Sequence, residues 1–137
     1  MKDIAGDSTS SKSNKIKTVL LVDDEKPILD LGKEILNHYG FETITAEDGE
    51  KAIEIFTGEK TEISLVIMDL NMPGMNGYQC FEKLLEIEPE TKIILVSGYC
   101  STGEVQDLLE KGASGFLAKP FRFEELIEKL EEVLMEI

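Results

Sequence analysis

Residues 18–24 read TVLLVDD, and this stretch decides the fold of the 137-residue chain. Four consecutive apolar residues are followed directly by two aspartates. The same form recurs in LVIMD at residues 65–69 and in IILVS at residues 93–97. Unbroken apolar runs without alternation are typical of parallel strands that are covered on both faces. The three stretches therefore predict the inner strands of a parallel sheet.

The remaining segments complete an alternation of strands and helices. Residues 41–46, FETITA, alternate between apolar and polar and include a charge, which is typical of a strand at a sheet edge. The predicted strands are residues 18–22, 41–46, 63–68, 92–96 and 115–118. Apolar residues at helical spacing predict helices at residues 26–39, 49–56, 77–87, 102–111 and 123–136.

This (βα)5 pattern predicts a doubly wound α/β fold in one domain, residues 18–137. Right-handed crossovers between parallel strands place helices on both faces of the sheet. Because the second strand is predicted at an edge, the strand order 2-1-3-4-5 of the flavodoxin-like arrangement is favoured. Residues 1–17 are polar and rich in serine, and we expect them to form a disordered tail or linker.

The charge balance excludes several classes of partner. The chain has 14 basic and 28 acidic residues and a net charge of −14. Residues 1–17 carry +2, so residues 18–137 carry −16. Such a surface repels phosphate backbones and anionic lipid, and no apolar run is long enough to span a membrane. We therefore expect no direct nucleic-acid or membrane binding. Cys80 and Cys100 lack a paired spacing, which favours free thiols and a cytoplasmic location.

Polar side chains follow the strands at one edge of the predicted sheet. Asp23 and Asp24 follow the first strand, Asp69 the third, Ser97 the fourth and Lys119 the fifth. The carboxyl ends of parallel strands meet at the same edge, which is where open α/β sheets bind ligands. The sequence therefore predicts that these side chains form one site.

Phosphoryl chemistry with Mg²⁺ suits this set of side chains. Neighbouring carboxylates repel one another unless a cation lies among them, and Mg²⁺ binds one or two carboxylates, water and phosphate oxygens. Lys119 and Ser97 are suited to bind phosphoryl oxygens, by charge and by a hydroxyl donor respectively. A carboxylate can attack phosphorus and form an acyl phosphate. Asp69 is the best candidate because it ends the central strand.

Simpler interpretations exist for each residue taken alone. Asp24 could cap the first helix, and Lys119-Pro120 could belong to an ordinary loop. Ser97 could cap the fourth helix, although Thr102 is the better candidate for that cap. His38 is interpreted as a surface cation near a helix end. The agreement of separate strand ends favours the common site over these interpretations.

The same residues resemble the receiver domain of two-component response regulators. The resemblance rests on four separated motifs in order: Asp23-Asp24, MDLNMPGMNG at residues 68–77, Ser97-Gly98 and Lys119-Pro120. It extends from about residue 17 to the C-terminus. It implies that Asp69 takes a phosphoryl group from the phosphohistidine of a histidine kinase or a histidine phosphotransfer protein.

The resemblance also implies roles for the neighbouring residues. Asp24, Asp69 and the backbone carbonyl of Asn71 would bind Mg²⁺, and Asp23 would hold the waters of the metal. Ser97 and Lys119 would bind the phosphoryl oxygens.

A conformational switch is implied as well. Phe116, three residues before Lys119, corresponds to the aromatic residue that reports the switch in this family. Ser97 would couple the phosphoryl group to a face formed by the fourth helix, fifth strand and fifth helix, where a downstream protein or a second copy binds. The Lys119–Pro120 peptide bond is expected to be cis.

Three alternatives remain beside a stand-alone switch. The chain could be the C-terminal receiver of a hybrid histidine kinase. A phosphatase of the haloacid dehalogenase type also forms an aspartyl phosphate, but it needs a second aspartate two residues after the nucleophile, where this chain has Asn71. A degenerate receiver would lack one of the acids or the lysine, and none is missing here. We therefore expect a signalling module and not an enzyme that turns over an external substrate.

Overall fold

Strands and helices alternate along the chain in a computed structural model that describes residues 16–59, 62–72, 77–98 and 101–135. The strands are β1 (Thr18–Val22), β2 (Glu42–Ala46), β3 (Ile63–Asp69), β4 (Ile93–Ser97) and β5 (Gly115–Ala118). The helices are α1 (Lys26–His38), α2 (Gly49–Glu59), α3 (Gly77–Ile87), α4 (Thr102–Glu110) and α5 (Phe123–Leu134). Most of the predicted tail, Cys100 and residues 73–76 of the third-strand motif lie outside the described residues.

The five strands form one parallel sheet in the order β2-β1-β3-β4-β5. Val19 of β1 lies opposite Thr43 of β2 on one side and opposite Leu65 of β3 on the other. The predicted order 2-1-3-4-5 is therefore confirmed. The alternating strand β2 does lie at an edge, whereas every residue of β1 and β4 is buried.

Helices cover both faces of the sheet, and each face has its own apolar core. On one face, residues of α2, α3 and α4, including Phe56, Phe81 and Leu108, pack against alternate residues of the inner strands. On the other face, Leu29 of α1 and Leu130 of α5 belong to the second core. The inner strands are apolar without alternation because both of their faces are buried.

Several predicted element ends differ from the structure by one to three residues, and one predicted helix cap differs as well. The second helix was expected to end at residue 56, but α2 continues to Glu59, and the Thr57 hydroxyl donates to the Ile53 carbonyl within it. The cap of α4 is Ser101 and not Thr102. The Ser101 hydroxyl accepts from the Glu104 N–H while the Glu104 carboxylate accepts from the Ser101 N–H. This reciprocal capping box satisfies two otherwise unpaired donors.

Two glycines lie where another residue would be strained or would collide with the backbone. Gly40 ends the turn after α1 with φ of +94°, a conformation that favours glycine. Gly77 begins α3 directly against the end of β3, and a Cβ there would collide with the backbone of Leu70 and Asp69. This close approach fixes the start of α3 beside the carboxyl end of β3. Within the described ranges, no helix is long and apolar enough to cross a membrane.

Candidate functional site

The carboxyl edge of the sheet gathers the polar residues that the sequence singled out. Asp69 and Ser97 are the last residues of β3 and β4, because Asp69 pairs with Val96 and Ser97 pairs with Ala118. The third and fourth strands thus each end one residue later than predicted. Asp23 directly follows β1 and Lys119 directly follows β5. All four positions therefore lie at one edge, as predicted.

Lys119 links the two buried carboxylates of the site. Its Nζ donates to Oδ2 of Asp69 over 2.9 Å and lies 3.9 Å from Oδ2 of Asp23. Burial lowers the pKa of the lysine, but the hydrogen bond and charge of Asp69 and the charge of Asp23 outweigh it, so the pKa is raised above its ordinary value. The side chain of Lys119 is therefore protonated and positively charged at neutral pH. The Lys119–Pro120 peptide bond is cis, as expected.

The carboxyl group of Asp23 is in an environment that disfavours its ionised form, since the residue is only 5% exposed. The pKa of its carboxyl is raised from 3.8 to about 6. Burial is the largest cause, and the charges of Asp69 and Asp24 also raise the pKa, whereas the Glu25 N–H and Lys119 lower it. The Glu25 N–H donates to Oδ1 of Asp23 over 3.0 Å. An additional cation near Asp23 would therefore stabilise its ionised form.

The acidic cluster fits a divalent cation. One carboxylate oxygen from each of Asp23, Asp24 and Asp69 lies within 4.8 Å of the other two, and this is the one such group among the residues that the structure describes. Asp24 is exposed and faces solvent, while Asp69 is 3% exposed. Hard oxygen ligands of this kind, with one side open to water, suit Mg²⁺. The donor set is therefore chemically suited to the predicted metal.

Asn71 connects the end of β3 to the end of β4. Its backbone N–H donates to Oδ1 of Asp69 over 2.9 Å, which is a local turn two residues long. Its side-chain Oδ1 accepts a hydrogen bond of 2.9 Å from the Ser97 hydroxyl. Ser97 is 1% exposed, and its carbonyl accepts from the Lys119 N–H. Sequence reasoning identified the Asn71 carbonyl but missed this side-chain contact.

A cleft of about 510 Å³ opens beside the acidic edge. Its lining joins charged residues of the site to apolar residues of α1 and of the segment after β5: Asp23, Asp69, Lys119, Ile28, Phe121 and Phe123. The rings of Phe121 and Phe123 meet edge to face with their centroids 6.0 Å apart. Asp69 lines this cleft, and the aromatic wall beside it was not predicted from the sequence.

Phe116 lies away from this edge, in the middle of β5. It is opposite Leu95 in the register and is half-buried against the core that includes Leu108 of α4. Phe116 therefore does not contact the acidic cluster, but it is two residues from Ala118, the register partner of Ser97. His38, predicted to be a surface cation, and Cys80, predicted to be a free thiol, also lie outside the cluster. Burial raises the pKa of the Cys80 thiol to about 12, so this free cysteine stays protonated.

Comparison with known proteins places the chain in one family. Residues 19–131 match the family model of the response regulator receiver domain. The chain belongs to this family, whose members are signalling modules of two-component systems. The prediction of the family from the four sequence motifs is therefore confirmed.

Individual relatives are of two kinds. The chain is 34% identical over 118 residues to the chemotaxis protein CheY of Thermotoga maritima, a match that covers 85% of this chain and 97% of that protein. It is 35% identical over 108 residues to the autoinducer 1 sensor kinase/phosphatase LuxN of Vibrio campbellii, covering 79% of this chain but 12% of that protein. The chain thus spans nearly all of one relative and a small part of the other.

A solved structure gives the same fold. A chain of the CheX-CheY-BeF3-Mg²⁺ complex from Borrelia burgdorferi superposes with a TM-score of 0.86 at 29% identity, covering 92% of this chain and 96% of that chain. The protein described here is therefore a CheY-like receiver domain.

Proposed function

We propose that this receiver accepts a phosphoryl group on Asp69 from the phosphohistidine of a histidine kinase or a histidine phosphotransfer protein. A carboxylate oxygen of Asp69 attacks phosphorus, the N–P bond to the donor histidine breaks, and the imidazole nitrogen keeps the electron pair and takes up a proton. The observation that carries the proposal is the Lys119–Asp69 contact beside a buried acidic cluster and an open cleft.

Mg²⁺ is the proposed cofactor, with Asp24, Asp69 and the backbone carbonyl of Asn71 as its ligands and Asp23 holding its waters. The raised pKa of Asp23 and the spacing of the three carboxylates support this assignment. When bound, Mg²⁺ supplies positive charge against the oxygens of the transferring phosphoryl group. The Borrelia burgdorferi complex, which contains BeF3 and Mg²⁺, is consistent with such a site.

Lys119 and Ser97 bind the phosphoryl oxygens in this proposal. Phosphorylation adds about 1.5 to 2 negative charges and three acceptor oxygens. Lys119 neutralises part of this charge, and the Ser97 hydroxyl donates to one oxygen. Asp69 itself is positioned by the Asn71 N–H.

The signal then passes to the face formed by α4, β5 and α5. Ser97 pairs with Ala118, and Phe116 lies two residues earlier on the same strand with part of its surface exposed. A change at Ser97 can therefore alter how Phe116 packs against the core next to α4. We propose that a downstream protein or a second copy of the chain binds this altered face.

A phosphatase function is disfavoured by Asn71. The general acid of an aspartyl-phosphate phosphatase would occupy this position, and an amide cannot donate and accept a proton in that role. The family match also favours signalling. Receivers within sensor kinases and nearly full-length relatives both resemble this chain, so the proposal concerns the domain in either context.

Phosphotransfer from a panel of histidine kinases and histidine phosphotransfer proteins tests the partner class. Each donor is first labelled on its histidine and then mixed with the receiver and Mg²⁺. We expect label to move from at least one donor to the wild type and not to Asp69→Asn. Asp107→Asn, the same change at an exposed position of α4, serves as the control and should accept label normally. A receiver that is phosphorylated by acetyl phosphate but by no histidine donor would contradict the proposed partner.

A further inference from the structure

Asn71 forms hydrogen bonds with both Asp69 and Ser97. Its backbone N–H donates to Oδ1 of Asp69, and its side-chain oxygen accepts from the hydroxyl of Ser97, both over 2.9 Å. Ser97 lies 26 residues further along the chain. A single loop residue therefore joins the proposed phosphoacceptor to the proposed switch residue.

The chemistry of the serine hydroxyl makes this contact consequential. A hydroxyl has one proton to donate, and in this structure the Ser97 proton is directed at Asn71. Ser97 cannot donate to Asn71 and to a phosphoryl oxygen at the same time. We infer that Asn71 is a positioning residue that holds the Ser97 hydroxyl in the unphosphorylated state and sets a threshold for the switch. This inference rests on the function proposed above.

The exchange of hydrogen-bond partners does not require the strand pairing of Ser97 to break. The backbone of Ser97 pairs with Ala118, and its carbonyl accepts from the Lys119 N–H over 2.9 Å. Ser97 is 1% exposed, whereas Asn71 is exposed and lies in the loop after β3. The Ser97 hydroxyl can therefore donate to the phosphoryl group only after its hydrogen bond to Asn71 breaks. A weaker hydrogen bond to Asn71 lowers the free-energy cost of switching.

The hydrogen bond itself is tested by a double-mutant cycle on stability. Asn71→Ala, Ser97→Ala and the double variant are unfolded in urea without Mg²⁺, with circular dichroism as the readout. If the two side chains are bonded, the second substitution has less effect in the presence of the first, and the effects are not additive. Additive effects would overturn the contact on which the inference depends.

The threshold is tested by binding of beryllofluoride, which mimics the phosphoryl group, at saturating Mg²⁺. Amide NMR titration gives the apparent Kd for each variant. We expect Asn71→Ala to bind about threefold to tenfold more tightly than the wild type, since one neutral hydrogen bond no longer has to be exchanged. In the Ser97→Ala background, Asn71→Ala should change the Kd by less than about twofold.

Asn37→Ala is the matched control, because it makes the same change at an exposed asparagine of α1. Its beryllofluoride Kd should equal that of the wild type. An unchanged or weaker Kd for Asn71→Ala would overturn the threshold role while leaving the proposed function intact. A wild type that does not bind beryllofluoride with Mg²⁺ would instead contradict the proposed function, and with it the threshold.

Discussion

The ammonium group of Lys119 donates a hydrogen bond of 2.9 Å to Oδ2 of Asp69, a residue 50 positions earlier in the chain. The contact joins the end of the central strand β3 to the first residue after the edge strand β5. Lys119 thereby provides a counter-charge for a buried carboxylate.

Replacing the lysine should destabilise the protein without Mg²⁺. Lys119→Ala leaves the carboxylates of Asp69 and Asp23 without their cation, and we expect a loss of about 1–2 kcal/mol, discounted because Lys119 is 37% exposed. Urea unfolding in EDTA measures the loss, and Mg²⁺ should restore part of it. Lys111→Ala, which removes an exposed ion pair with Asp107, should cost less than about 0.5 kcal/mol. Equal losses for the two variants would contradict a special role for Lys119.

Asp23 should make the metal-free protein more stable as the pH falls. Its pKa is about 6 in the folded chain, above the ordinary 3.8, so the folded state binds more protons between these values. Its contribution to stability is therefore fully present below about pH 4 and is lost as the pH rises through 6, by about 3 kcal/mol in total. The free energy of unfolding in EDTA, compared between wild type and Asp23→Asn from pH 4 to 7, isolates this contribution. Parallel pH curves for the two proteins would contradict the raised pKa.

Mg²⁺ should raise the melting temperature because it binds the folded acidic cluster. A ligand at one hundred times its Kd stabilises the native state by about 3 kcal/mol. Asp24→Asn removes one proposed ligand and should reduce the shift, while Asp107→Asn should leave it unchanged. Thermal melts over a millimolar range of Mg²⁺ measure the effect. A wild-type melting temperature that does not respond would show that the acidic cluster is not a metal site.

Phosphorylation should change the α4–β5–α5 face, and beryllofluoride with Mg²⁺ provides a stable mimic for NMR. The chain has no tryptophan, so amide shifts are a better probe than fluorescence. We expect the largest changes remote from Asp69 to fall between Ser97 and Phe123. Ser97→Ala should suppress these remote changes and keep those around Asp23 and Asp69. Changes restricted to the acidic edge in the wild type would mean that the signal does not pass through Phe116.

The sequence predicts the sheet because each inner strand is a local apolar run that ends in a polar residue. The strand order was predicted from one pattern, the alternation of apolar and polar residues at 41–46. This pattern is typical of a strand at a sheet edge, and the order 2-1-3-4-5 places the second strand there. The positions of Asp23, Asp69, Ser97 and Lys119 then followed from geometry, because parallel strands end at the same edge. The cap of α4 could also be predicted from the sequence, because Ser101 and Glu104 have the spacing of a capping box. The prediction of Thr102 as the cap overlooked this spacing.

Contacts between side chains of distant segments were not predictable in this way. The Asn71–Ser97 hydrogen bond depends on the rotamers of both residues and on the register of β3 and β4, which no local pattern specifies. The raised pKa of Asp23 depends on its burial and on the charges of Asp69, Lys119 and Asp24, which lie at the ends of three strands. The aromatic wall of the cleft, Phe121 and Phe123, required the path of the chain after β5 to be known.

Phosphorylation of Asp69 is the central claim, and the intact mass of the protein after incubation with acetyl phosphate tests it most directly. With Mg²⁺, we expect the wild type to gain one phosphoryl group, because Asp69 is the buried acid paired with Lys119 and adjacent to the metal ligands. Asp69→Asn and EDTA-treated wild type should gain none, and Asp107→Asn should behave as the wild type. A phosphoryl group that still appears on Asp69→Asn, or that appears in EDTA, would contradict the account.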